Sequence, residues 1–111
     1  MYKRQAVQRL LEKVGVGSLE EAVRAEELFW SGNRGLDAED AKVVAYVVAT
    51  SGSLTSLNLN FNSIGDEGAK ALAEAIRSNS ALALKTLVVP HWMETHAELV
   101  AACKSKGVAL R

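Results

Sequence analysis

Leu36-Asp-Ala-Glu-Asp-Ala-Lys-Val-Val-Ala45 and Ile64-Gly-Asp-Glu-Gly-Ala-Lys-Ala-Leu-Ala73 state one pattern twice, 28 positions apart (64 minus 36). Ala41, Lys42, Val44, Ala45, Val48 and Leu54 map onto Ala69, Lys70, Leu72, Ala73, Ile76 and Leu82. Self-similarity at a fixed spacing of this size marks a repeat architecture, in which each unit buries its apolar face by stacking on its neighbour. In each copy the small and apolar residues recur at i, i+3, i+4 and i+7, the stripe of an amphipathic helix. Asp37 and Asp66 are the expected N-caps, Asp40 adds a favourable charge in a first turn, and Gly52 is expected to end the first of the two helices.

Between the copies, Leu54-Thr-Ser-Leu57-Asn-Leu59-Asn-Phe-Asn62-Ser-Ile64 places apolar residues at relative positions 1, 4, 6 and 11 and an asparagine at 9. Leu57 and Leu59 alternate inward on a short strand, Leu54 and Ile64 close the turns on either side, and Asn62 satisfies backbone groups where the chain leaves the strand. Ala25, Leu28, Trp30 and Asn33 fit the same template 29 positions earlier (54 minus 25), and Leu84, Leu87 and Val89 fit it 30 positions later (84 minus 54). In the later unit Trp92 stands at the asparagine position and Pro90 removes a backbone donor, as befits a terminal repeat.

The stretch Leu54 to Ile64, followed by Gly65-Asp-Glu-Gly-Ala-Lys-Ala-Leu-Ala-Glu-Ala-Ile76, resembles the leucine-rich repeat family, ribonuclease-inhibitor-like subclass. The resemblance is strongest over 53–82, looser over 25–52 and 83–92, and absent from 1–24 and 93–111. It implies an α/β fold: a short, right-handed solenoid of strand–helix units, with a parallel sheet on the concave side and helices on the convex side. It also implies a protein partner bound on the concave face. A large wrapped partner does not fit, because the pattern yields only about three strands.

The rest of the chain reads as caps on one domain spanning 1–111. Residues 1–24 form a helical N-terminal cap, with Ala6, Val7, Leu10, Leu11 and Val14 on one stripe and Ser18-Leu-Glu-Glu21 as a capping box. About three repeats fill 25–92. Residues 93–111 hold a capping helix, with Leu99, Ala102 and Cys103 on one side, and a closing edge strand at Val108-Ala-Leu110.

Composition narrows the function classes. Thirteen basic and thirteen acidic side chains cancel, so no overall field favours nucleic acid or an anionic membrane. No stretch approaches the roughly 20 continuous apolar residues of a membrane span, and the chain opens without a secretory h-region. A single cysteine, Cys103, excludes an internal disulfide framework and leans toward an intracellular, cytoplasmic setting. On the apolar side of its helix it is expected to act as a small buried hydrophobe.

The chemical motifs are weak. Asn58, Asn60 and Asn62 recur like the start of a calcium loop, but Ser63 and Ala69 stand where glycine and glutamate are needed. His91 and His96 are off the i, i+4 spacing that gathers two imidazoles on a metal, and Gly15-Val-Gly17 is a turn rather than a phosphate cradle. No catalytic residue, metal or cofactor is expected. Arg34 is the only residue available as an arginine finger toward a small GTPase, and a solvated loop residue explains it better.

Template positions 3, 5, 7 and 8 point away from the core and form four cross-strand rows. They are Glu27, Ser56 and Thr86; Phe29, Asn58 and Val88; Ser31, Asn60 and Pro90; Gly32, Phe61 and His91. Phe29 and Phe61 with Val88 and His91 are the candidate contact patch, framed by Ser31, Ser56, Asn58, Asn60 and Thr86. Either a partner covers the two rings or the chain's own caps do. The sequence therefore points to a non-catalytic protein-interaction module that takes no small-molecule substrate. The alternatives are a scaffold subunit of a larger assembly and a regulator of a small GTPase or other enzyme. A basic first helix, carrying Lys3, Arg4, Arg9 and Lys13, could also meet an acidic partner.

Overall fold

Leu28, Leu57 and Leu87 lie side by side as one rung of a parallel sheet, each buried, at the spacings the aligned units give them. In the computed structural model, which describes residues 4–31, 35–60 and 62–111, strands alternate with helices along the chain. Arg4–Val14 (α1) and Leu19–Arg24 (α2) precede Glu27–Phe29 (β1). Ala38–Thr50 (α3), Ser56–Asn58 (β2), Gly65–Ser78 (α4) and Thr86–Val88 (β3) follow. A 3-10 helix at His91–Thr95, then Ala97–Lys106 (α5) and Ala109–Leu110 (β4), complete the order.

The sheet has four parallel strands in the order β1-β2-β3-β4. α3 packs on α4 and α4 on α5, while α1 and α2 lie against α3. The expected α/β architecture is what the chain adopts. One apolar cluster joins the inward side chains of the strands (Leu57, Leu59, Leu87, Val89) to those of the helices (Val44, Val48, Leu72, Ile76, Leu99). Each such large side chain, taken fully out of water, stabilises the fold by roughly 1.5–3 kcal/mol.

Two buried asparagines tie the units together at opposite ends. The Asn62 side chain accepts from Leu36 N–H at 3.2 Å and donates to the carbonyls of Trp30 (2.9 Å) and Leu59 (3.1 Å). Asn79 donates to the carbonyls of Val48 (2.9 Å) and Ser51 (2.8 Å), stopping the orphan acceptors at the end of α3. Among the described residues no buried side-chain polar atom lacks a partner. At the last helix end, Gly107 takes the left-handed conformation (φ 71°) that lets its N–H reach back to Cys103 and Lys104.

The caps differ from expectation in particulars. Asp37 caps α3 as expected and forms a reciprocal capping box with Asp40. Asp40 is also held by Lys13, Nζ to Oδ2 at 2.6 Å, which pins α1 onto the start of α3. Lys13 is thus spent inside the chain rather than on an acidic partner. Ser18 caps α2, but Glu21 turns its carboxylate to Gly17 N–H instead of closing the box. Asp66 is not the N-cap of α4: the helix begins at Gly65, the cap residue Ile64 offers no side-chain acceptor, and Asp66 sits inside the first turn. Gly52 does not end α3; Ser51 is the capping residue, and its hydroxyl accepts from Leu54 N–H.

Asp66 instead joins two successive units. Its carboxylate receives Nε2 of His96 at 2.8 Å and lies 3.3 Å from Lys70 Nζ. His96 in turn caps α5, its Nδ1 accepting from Leu99 N–H, so the imidazole proton sits on Nε2 and points at Asp66. The His96 hydrogen bond, then Lys70, hold the Asp66 carboxyl below its ordinary value of 3.8, and the backbone N–H of Asp40 does the same for Asp37. A carboxyl lowered on folding adds stability that is complete above its unfolded value and vanishes as pH falls through its folded one. The melting temperature should therefore drop on acidification from about pH 5 to about pH 3. Asp66→Asn should shallow that drop, and equal acid slopes for the two proteins in thermal melts by circular dichroism would rule the pair out as a contributor.

Candidate functional site: the open face of the sheet

Because β1, β2 and β3 are each only three residues long, strand geometry fixes the outward direction at two positions in each of them. Those positions register across the sheet as Glu27, Ser56, Thr86 and Ala109 in one row, and Phe29, Asn58 and Val88 in the next. Arg111, whose N–H donates to Leu87 and whose carbonyl accepts from Val89, extends the second row past β4. Phe29 is 66% exposed, which answers for this ring the question of whether the caps cover it. Ser56, Asn58, Thr86 and Val88 are half-buried beside it. Asn58 also folds its side-chain oxygen back to Asn60 N–H at 3.0 Å, fixing the chain as it leaves β2.

The rows expected further along diverge. Pro90 was placed outward by strand alternation, yet it is buried, because β3 ends at Val88 and the chain turns directly into the 3-10 helix. Ser31 and Asn60 are half-buried, and His91 is fully exposed with Nδ1 at 2.6 Å from Glu94 Oε2. Phe61 and Gly32, and with them Asn33 and Arg34, lie outside the described residues. An open hollow of about 560 Å³ runs along the carboxyl ends of the strands, lined by Asn60, Val89, Pro90, His91, Glu94 and Arg111. Trp92, next to His91 in the chain, is 45% exposed.

Two features escaped sequence reasoning. Trp92 was assigned only to a degraded asparagine position, although a tryptophan in a turn after a strand is itself a signal. The basic residues at the other side of the sheet were also missed: Lys85 and Arg111 are exposed at the entry to β3 and just past β4, across from Glu26 and Glu27 at β1. Sorting charges by strand rather than along the chain would have found them.

The chemistry available here is that of contact. The face offers an exposed ring, hydroxyls, amides and charges of both signs. Elsewhere, two open hollows lie on the helix side, one of about 340 Å³ between α2 and α3 around Tyr46 and one of about 310 Å³ between α3 and α4 lined largely by alanines. Burial pushes the Cys103 thiol up to about 11, leaving it protonated and unreactive at neutral pH. The two histidines have separate partners, and among the described residues no three acidic, histidine or cysteine side chains converge. No described helix is long and apolar enough to cross a membrane.

Residues 51–73 match the Leucine Rich repeat family. The matched segment holds β2, the buried Asn62 and the first turns of α4, so the leucine-rich repeat falls on one step of strand, asparagine and helix start. No curated protein sequence matches the chain. A leucine-rich repeat implies a protein-interaction module in general terms, typically a non-catalytic one, which presents a surface whose shape is set by stacking.

Proposed function

We propose that the chain is a non-catalytic protein-interaction module built of about three leucine-rich repeats of the ribonuclease-inhibitor-like subclass. Residues 1–24 and 93–111 close the two ends of one domain, and a protein partner binds the sheet face turned away from the helices. The supporting observation is Phe29, a large apolar ring 66% exposed at the β1 end of an outward row. Isolated exposed apolar residues are common on protein surfaces, but a phenylalanine on a strand beside half-buried Asn58 and Val88 is a contact waiting for cover. The contact residues are Phe29, Ser31, Ser56, Asn58, Asn60, Phe61, Thr86, Val88 and His91.

The test separates binding from folding. Phe29→Ser should shift the melting temperature by no more than about 3 °C, the range of a surface substitution in a chain of this size. A photo-crosslinking residue at position 58 should capture a discrete partner in the native source, and the Phe29→Ser change should remove that product. Retention of the product in Phe29→Ser would show that the ring does not hold the partner, and capture from a crosslinker on α4 but not from position 58 would move the interface to the helix side, as a scaffold subunit would have it.

A further inference from the structure

The net charge of the chain is zero, yet the open face is polar from one side to the other. Glu26 and Glu27 stand exposed at β1, and neither forms an ion pair among the described residues. Lys85, at the entry to β3, and Arg111, just past β4, are likewise exposed and unpaired among the described residues. The backbone places them in register: Glu26 O accepts from Thr55 N–H, Thr55 O from Lys85 N–H, and Lys85 O from Ala109 N–H. Glu26, Thr55 and Lys85 form the rung at the strand entries, so Glu26 and Lys85 flank the first outward row, in which Glu27 is followed by Ser56, Thr86 and Ala109. The Phe29, Asn58, Val88 row lies beside it and ends on Arg111.

Building on the reading of this face as a protein-binding surface, we infer that its occupant is a short extended segment of a partner protein lying across the strands. That segment carries lysine or arginine over β1, an apolar side chain against Phe29 and Val88, and aspartate or glutamate over β3 and β4. Size favours a segment over a folded domain or a second copy. Three strand spacings of roughly 4.8 Å put about 14 Å between the charged flanks, the reach of four to five extended residues. Three residues along each strand give the face an area on the order of 200 Å², against about 800 Å² per partner for a standard stable interface. Charge placement then decides orientation, because exposed pairs contribute modestly to affinity but penalise the reversed arrangement.

The experiment is a selection of displayed random heptapeptides on the full chain at low salt, run in parallel on Phe29→Ser, Glu26→Lys/Glu27→Lys and Lys85→Glu/Arg111→Glu. The wild-type chain should enrich peptides basic at one end, apolar in the middle and acidic at the other. The first double variant should enrich peptides acidic at both ends, and the second peptides basic at both ends. A synthetic wild-type-selected peptide should bind either double variant about tenfold more weakly by fluorescence anisotropy. If Phe29→Ser loses the peptides but charge reversal leaves the enriched sequences unchanged, the bipolar segment is wrong and the face stands as the binding surface. If Phe29→Ser keeps them, the face itself is wrong. Absence of enrichment overturns the segment, as does a concentration-dependent dimer in sedimentation that Phe29→Ser abolishes, since the occupant would then be a second copy.

Discussion

Replacing Asn62 by alanine should lower the unfolding free energy by about 3–4 kcal/mol, the cost of leaving several buried backbone groups unpaired at once. The carboxamide is 7% exposed and serves two units at the same time. Its oxygen takes the N–H of Leu36, itself wholly buried, while its nitrogen gives to the carbonyls of Trp30, Leu59 and Asn60. Alanine removes all of these without offering any group a new partner. A loss of that size is a large share of the roughly 5–15 kcal/mol that typically holds a domain together. Asn62→Asp sharpens the case: it keeps an acceptor for Leu36 but turns a second oxygen toward carbonyl oxygens, so it should be at least as damaging as alanine at neutral pH. Urea denaturation with an unchanged slope would read the loss directly, and a drop below about 1 kcal/mol for Asn62→Ala would show that water satisfies these groups instead.

Asn62 was legible because the template gives it a position and a task that nothing apolar can perform. Asn79 was not, although it is equally buried and ties α3 to the end of α4. Its acceptors, Val48 and Ser51, lie 31 and 28 positions away, and no local pattern announces a bond across a whole repeat. The same distinction separates Asp37 from Asp66. Asp37 answers to its own helix start through Asp40, three residues on. Asp66 answers to His96, 30 positions away, so helix-start rules assigned it the wrong task.

The inward half of the sheet was equally readable, since burial enforces the period-two alternation that places Leu28, Trp30, Leu57, Leu59, Leu87 and Val89. The outward half was readable only while the strand lasted. Positions 27, 29, 56, 58, 86 and 88 fall where expected, whereas Pro90 follows the 3-10 helix and turns in. The candidate face is therefore secure as geometry over two rows, and Arg111, the basic residue that ends the second, became visible only once the strands stood side by side.

Gly68→Val should be the second severe substitution, costing about 3 kcal/mol or more, and it opposes the trend of helix propensity. Glycine in a helix interior ordinarily costs up to about 1 kcal/mol relative to alanine, so propensity alone predicts a gain from any side chain with a better score. At this position the gain is overruled by space. A Cβ on residue 68 would lie 2.1 Å from Ile64 Cγ2 and 2.8 Å from Ala41 Cβ. Ile64 could turn its side chain only by giving up its own fully buried site, and Ala41, a methyl on the facing helix, has no rotamer to change. Relief requires α3 and α4 to part, and these two helices pack directly on one another at the centre of the stack. Gly68→Ala should accordingly be destabilising by about 1–2 kcal/mol despite its better propensity, with valine clearly worse because its branch adds two more methyl groups to the same crowded spot. The ordering wild type, alanine, valine in denaturation midpoint is the diagnostic. An alanine variant as stable as wild type would mean that the helices separate at little cost and that the close approach does not hold the two units in their spacing.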